Sequence, residues 1–175
     1  QLCKAWLDHK VLVVRDQHIT VEEHIAFGRL FGDLEVHPFA QGKTGHPEIV
    51  SLSSTPEDQN AASIWHSDVT WRQEPSMGSI LRGVVIPPVG GDTCFADAGA
   101  AYDDLSDEWK ERIDPLIAIH DFTRTFGRDL SPEKQTEMQR KYPPARHPVV
   151  RTHPETGKRS IYTNRIFVSH IEGVS

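Results

Sequence analysis

No stretch of this 175-residue chain keeps one hydrophobic period for long before a proline or glycine cuts it. Twelve prolines and twelve glycines divide it into short apolar runs. Val11-Leu12-Val13-Val14, Ile49-Val50-Ser51-Leu52, Trp65 to Trp71, Ser79 to Ile86, Asp92 to Ala96 and Leu116 to Phe122 each read as strands. Pro148 to Arg151 and Ser160 to Thr163 read as a hairpin around Pro154-Glu155-Thr156-Gly157. Residues 37–47 and 55–62 read as loops. Short strands separated by such turns predict a mainly β domain with peripheral helices, a sandwich or jelly roll. The regular strand–helix alternation of a doubly wound sheet is missing.

Helices are expected at a few places marked by local signals. Leu2, Ala5, Trp6 and Leu7 have helical spacing. Thr20-Val21-Glu22-Glu23 is a capping box, followed by the apolar positions Ile25, Phe27, Leu30 and Phe31, with Gly32 as the stop. Ser106 caps a helix through Arg112, and Ser131-Pro132-Glu133 opens a charged one to about Arg140. The length suits one domain over residues 1–175. The start at Gln1 and the stop after Val174-Ser175, with no helix, strand pair or polar tail in the last residues, are expected of a partial chain.

Composition narrows the function classes. The net charge is −6 with no basic run, which argues against a nucleic-acid partner. Cys3 and Cys94 form neither a disulfide framework nor a metal knuckle. No apolar run is long enough for a membrane span, and no signal peptide opens the sequence. A cytoplasmic protein that acts on a small molecule is expected, and exposed aromatic residues near the outer helices predict a homo-oligomer.

The ten histidines are the main chemical signal. Four have a carboxylate two residues on: His46/Glu48, His66/Asp68, His153/Glu155 and His170/Glu172. The first and third contain proline at turns, and the fourth lies near the chain end. Trp65-His66-Ser67-Asp68-Val69-Thr70-Trp71 differs, because alternation on a strand puts His66, Asp68 and Thr70 on one face. A buried imidazole and carboxylate need a partner. A divalent metal supplies one, and such a pair is two-thirds of the facial triad of non-haem Fe(II) oxygenases. A plain His–Asp hydrogen bond on a partly exposed strand is the other reading.

Taken with Gly90-Gly91-Asp92-Thr93, the chain resembles the taurine/aryloxyalkanoate dioxygenase family, which depends on Fe(II) and 2-oxoglutarate. The resemblance runs through Val13-Val14-Arg15-Asp16-Gln17, Phe31-Gly32-Asp33-Leu34, His37-Pro38, Trp65 to Thr70, Gly90 to Thr93, His120-Asp121-Phe122 and His147 to Gly157. It implies a double-stranded β-helix with helices outside, incomplete at the C-terminus. It implies that His66 and Asp68 bind iron and that Thr93 contacts the 2-oxoglutarate carboxylate. His37, Phe126 and Phe167 are the implied substrate residues, each with an ordinary structural alternative: a loop histidine and core phenylalanines. The implied reaction consumes O2 and 2-oxoglutarate, hydroxylates a small sulfonate, sulfate ester or aryloxyalkanoate-like substrate, and releases succinate and CO2.

The family's distal iron histidine and its 2-oxoglutarate arginine belong to a C-terminal segment this sequence lacks, so an incomplete site, inactive by itself, is expected. Taurine-specific members carry a tyrosine where this chain has Ala40, and the loop Asn60 to Ile64 is less polar than theirs. Both departures favour a bulkier or less polar substrate. Two other function classes remain: a metal-free binding or structural homologue of the same fold, and a His/Asp zinc hydrolase, which would need a further ligand and a general base.

Overall fold

The computed structural model describes residues 1–40, 42–53, 64–127 and 130–174. They form two compact units, Gln1–Leu52 with Ile80–Val84, and Ser53–Ser79 with Val85–Ser175. The expected loop at 55–62 lies outside the described residues.

The first unit carries α1 (Leu2–His9), α2 (Val21–Gly28) and the hairpin of β1 (Gly42–Lys43) and β2 (His46–Val50). The Thr20 hydroxyl accepts from the Glu23 amide, and the Glu23 carboxylate accepts from the Thr20 amide, so the capping box closes as its spacing predicts. The helix stops at Gly28 rather than Gly32, and Phe31 folds back edge-on to Phe27 and Trp6. Val11–Val14, expected as a strand, lies in no ladder among the described residues and is largely exposed. Part of the 37–47 loop is β1 and the start of β2, turned through Gly45 at φ 79°.

The second unit holds α3 (Ala98–Asp103), α4 (Asp107–Ile113), α5 (Pro132–Lys141), and strands β3 (Ile117–His120), β4 (Ala145–Pro148), β5 (Val150–Thr152), β6 (Arg159–Ile161) and β7 (Val168–Ile171). β3 is the centre of a three-stranded antiparallel sheet ordered β4-β3-β7, and β5 pairs with β6 in the predicted hairpin. Buried Tyr102, Ala118, Val149 and Val150 form the core, covered by Leu105, Ile113, Leu116, Ile161, Val168 and Ile171. The end of the chain therefore does form a strand pair, contrary to its reading as unpaired. Helix α3 also went unread, although the Asp97 carboxylate caps it by accepting from the Gly99 and Ala100 amides.

Three expected strands are corrected. Ser79–Ile86 and Asp92–Ala96 lie in no ladder among the described residues, and Val85 is 87% exposed. Alternating apolar residues suit an extended chain, but a strand also needs a hydrogen-bonded neighbour. Trp65–Trp71 lies in no ladder among the described residues either: its second half is a turn closed by the Arg72 amide on the Val69 carbonyl. Among the described residues no helix is long and apolar enough to cross a membrane.

Candidate metal centre

The turn changes the basis on which His66 and Asp68 meet. On a strand, Thr70 would share their face and Trp71 would oppose it; here Thr70 and Trp71 are both 1% exposed, whereas Trp65 is 63% exposed. Val69 makes the reversal, with φ at +48°, a left-handed conformation unusual for a β-branched residue. Strain of this kind persists only where surrounding packing enforces it, and it concentrates at functional turns. Val69 is itself buried.

The His66 and Asp68 side chains converge all the same. His66 Nε2 lies 3.2 Å from Asp68 Oδ1, with the two side chains 23% and 64% exposed. His66 Nδ1 is 2.6 Å from the Ile64 carbonyl, an approach that requires Nδ1 to carry a proton and donate it. Nε2 then faces a carboxylate oxygen, and two lone pairs at this distance need a positive centre between or beside them. A second ring proton provides one, and a divalent cation provides the other. Donation from the far ring nitrogen to a backbone carbonyl is also how ligating histidines are oriented. The second Asp68 oxygen accepts from the Ser79 hydroxyl at 3.3 Å. An imidazole nitrogen and a carboxylate oxygen suit Fe(II) and similar ions. Among the described residues no group of three His, Cys, Asp or Glu side chains converges, so the pair could supply two ligands to a metal but not a full set.

The other three His-x-carboxylate pairs separate. His46 faces Glu22 at 3.5 Å while Glu48 faces Arg29 at 3.6 Å. His153 Nδ1 accepts from the Glu155 and Thr156 amides and closes the β5–β6 turn. Glu172 pairs with Arg146 at 2.6 Å, and His170 Nδ1 lies 3.0 Å from the Ser169 hydroxyl.

Thr93 lies exposed after the turn formed by Gly90 (φ 79°) and Gly91 (φ 72°), and its side chain makes no hydrogen bond among the described residues. His37 belongs to the first unit, where its Nδ1 accepts from the Phe39 and Ala40 amides. Phe126 and Phe167 do come together, with ring centroids 6.2 Å apart, and Phe126 meets Trp71 at 6.5 Å. Trp71 also contacts Phe122 and Tyr142, which makes this an aromatic floor continuous with the turn.

Sequence reasoning missed a buried polar cluster beneath that turn. His120 has no exposed surface; its Nδ1 is 2.8 Å from the Thr70 hydroxyl, and its ring lies edge-on to His147 at 5.0 Å and stacked on Tyr162 at 5.8 Å. Burial pushes its pKa down to about 4, with a smaller contribution from His147. His147, also lowered by burial, donates from Nε2 to the Arg72 carbonyl at 2.8 Å. His120 ends the apolar strand β3 and His147 is an inward position of β4, and neither has a carboxylate two residues on, so the His-x-carboxylate spacing does not mark them. A groove of about 670 Å³ is lined by Ile64 and Trp65, which directly precede His66, together with Arg124, Asn164, Arg165 and Val168 among others.

Known proteins match this chain over its whole length. The sequence profile described as taurine catabolism dioxygenase TauD, TfdA family, matches residues 1–175. The chain belongs to this family. An alkylsulfatase of Acinetobacter baylyi is 36% identical over 171 residues, covering 93% of this chain and 53% of the relative. The (S)-phenoxypropionate/alpha-ketoglutarate-dioxygenase of Sphingobium herbicidovorans is 33% identical, covering 92% and 60%. A Burkholderia xenovorans protein, solved as a candidate alpha-ketoglutarate-dependent taurine dioxygenase, superposes with a TM-score of 0.80 at 38% identity, covering 99% of this chain and 58% of that one. The chain thus spans little more than half the length of these family members. Its fold is that of the TauD-type dioxygenases, the jelly roll expected of its short strands.

Proposed function

We propose that residues 1–175 are one dioxygenase domain that contributes two iron ligands to a 2-oxoglutarate-dependent enzyme, which hydroxylates a small organic anion and releases succinate and CO2. The observation that carries this reading is the convergence of His66 Nε2 and Asp68 Oδ1 with the His66 Nδ1 proton already committed to Ile64. His66 and Asp68 would hold Fe(II). When bound, Fe(II) and 2-oxoglutarate supply O2 activation coupled to oxidative decarboxylation.

The chain's own residues orient and shield. The Thr93 hydroxyl is a compact donor for a 2-oxoglutarate carboxylate oxygen. Phe126 and Phe167 give an apolar wall that excludes water from the substrate. Exposed Arg124 and Arg165 line a groove with Trp65, Ile64 and Val168, a combination suited to an anionic head and an apolar tail. That chemistry covers sulfonates, sulfate esters and aryloxyalkanoates. Ala40, where taurine-specific members carry tyrosine, favours the bulkier of these.

Mn(II) titration followed by electron paramagnetic resonance, with N-oxalylglycine present as a 2-oxoglutarate mimic, tests the reading. One saturable site is expected, weakened by tenfold or more in His66→Ala and in Asp68→Ala. Equal Mn(II) binding in all three proteins, or no saturable site, overturns it and leaves the metal-free homologue.

A further inference from the structure

We propose that Thr70 is a positioning residue whose hydroxyl, held between His120 and Asn164, fixes the turn that presents His66 and Asp68 to a metal. The proposal rests on the reading of that pair as metal ligands.

The hydrogen-bond directions follow from the groups present. Asn164 Oδ1 accepts from the Ile166 amide at 3.1 Å and the Phe167 amide at 2.8 Å. Two backbone donors on one side chain atom settle that this atom is the oxygen, so Nδ2 is the group 3.1 Å from Thr70 Oγ1, and it donates. With the Thr70 oxygen accepting from Asn164, its own proton needs an acceptor, and His120 Nδ1 at 2.8 Å is the acceptor in reach. His120 then carries its proton on Nε2, which has no hydrogen-bond partner among the described residues. The reverse direction would orphan the Thr70 proton as well as Nε2, two buried defects rather than one. The relay therefore runs from Asn164 through Thr70 to His120.

This relay holds one end of the turn, and a second buried histidine holds the other. Thr70 is anchored to β3 through His120, and Arg72 to β4 through the bond from His147 to its carbonyl. Between Asp68 and Thr70 stands Val69, whose left-handed backbone needs enforcement. Asp68 is thus two residues from a fixed hydroxyl and one from a strained hinge. The same Asn164 orders the amide of Phe167 in the aromatic floor, so one hydroxyl ties the ligand turn to that wall. A pair of side chains meeting at 3.2 Å in a partly exposed site depends on such support, and outer-shell partners of this kind typically change metal affinity by about 10–100-fold.

The experiment compares the full chain with Thr70→Val, Thr70→Ser, Asn164→Asp and His66→Ala. Mn(II) affinity is measured by electron paramagnetic resonance with N-oxalylglycine present, at a temperature where near-UV circular dichroism shows each protein folded. Thr70→Val removes the hydroxyl and keeps the shape, and a loss of affinity of about tenfold or more is expected. Thr70→Ser restores the relay and is expected to bind within about threefold of the parent. Asn164→Asp keeps the acceptor for Ile166 and Phe167 but removes the donor to Thr70, and is expected to weaken binding in the same direction; it decides the matter if Thr70→Val does not fold. Parental Mn(II) affinity in Thr70→Val, or in Asn164→Asp where only that variant folds, overturns the proposal while a loss in His66→Ala leaves the metal reading standing. Unchanged affinity in His66→Ala overturns both.

Discussion

Thr70 and Trp71 are consecutive and both buried, and the turn closed by the Arg72 amide on the Val69 carbonyl carries them into the interior together. An alternating pattern of polar and apolar residues made this segment read as a strand, yet the two aromatic ends of the pattern have opposite fates: Trp65 is exposed and Trp71 is enclosed. Trp71 packs edge-on against Phe122, Phe126 and Tyr142, with the Arg72 guanidinium 5.4 Å from its ring centre. Removing such a ring leaves a void that rigid neighbours cannot close. Trp71→Ala is expected to lower unfolding free energy by ~3–5 kcal/mol, and Trp71→Phe by clearly less. Urea unfolding followed by circular dichroism measures both; a cost below about 1 kcal/mol for the alanine variant would contradict the packing described. At this scale the meeting of His66 and Asp68 was legible in the sequence, because the residues around this His-x-carboxylate pair set it apart from the other three, although a turn rather than the expected strand brings the two side chains together. Their supports were not: Thr70, His120 and Asn164 lie far apart in sequence, and no local pattern announces a relay made across three segments.

Elements divide by whether their signal is local. Three caps were readable, since a helix start is decided within four residues: Thr20 with Glu23, Ser106 on the Trp109 amide, Ser131 on the Lys134 amide; the Asp97 cap of α3 was the exception. Strands were not readable in the same way. Val11–Val14, Ser79–Ile86 and Asp92–Ala96 have the composition of strands without a ladder among the described residues, whereas Val168–Ile171 gains its partner, β3, from some fifty residues upstream. The β5–β6 hairpin succeeded because its turn is encoded on the spot. His153 gathers the Glu155 and Thr156 amides, the Gly157 amide donates to the His153 carbonyl, and Gly157 sits at φ 69°. A Cβ placed there would meet nothing within 4 Å. The cost of Gly157→Ala is therefore conformational rather than steric, about 1–2 kcal/mol. The thermal midpoint of that variant checks it. A midpoint equal to the parent's would mean that the turn tolerates a side chain in the left-handed region.

For the whole molecule, the two buried histidines set how stability responds to acid. His120 faces His147 from β4 and Tyr162 after β6, and Arg151 on β5 lies over the Tyr162 ring at 4.5 Å. Among the described residues no acidic side chain acts on His120 or His147, and burial dominates, so the folded pKa of His120 falls to about 4, well below the ordinary value of 6.5. The sign follows directly. Above about pH 6.5 the histidine is neutral in both states and the fold keeps its full stability. As pH falls from about 6.5 toward 4, the unfolded chain takes up a proton that the folded chain refuses, and stability drops by up to ~3 kcal/mol from His120. His147, lowered by the same burial, acts in the same direction. The carboxylates with altered pKa, Glu22, Asp114 and Glu133, are all pulled below their usual range by hydrogen bonds, so their contribution begins to be lost only near the ordinary carboxylate values, at the acid edge of that window. Urea midpoints between about pH 7.5 and pH 5 therefore report mainly on the histidines. A steady decline across that interval is expected, flattened in His120→Gln; a parental midpoint unchanged from pH 7 to pH 5 would show that His120 takes its proton without disturbing the fold.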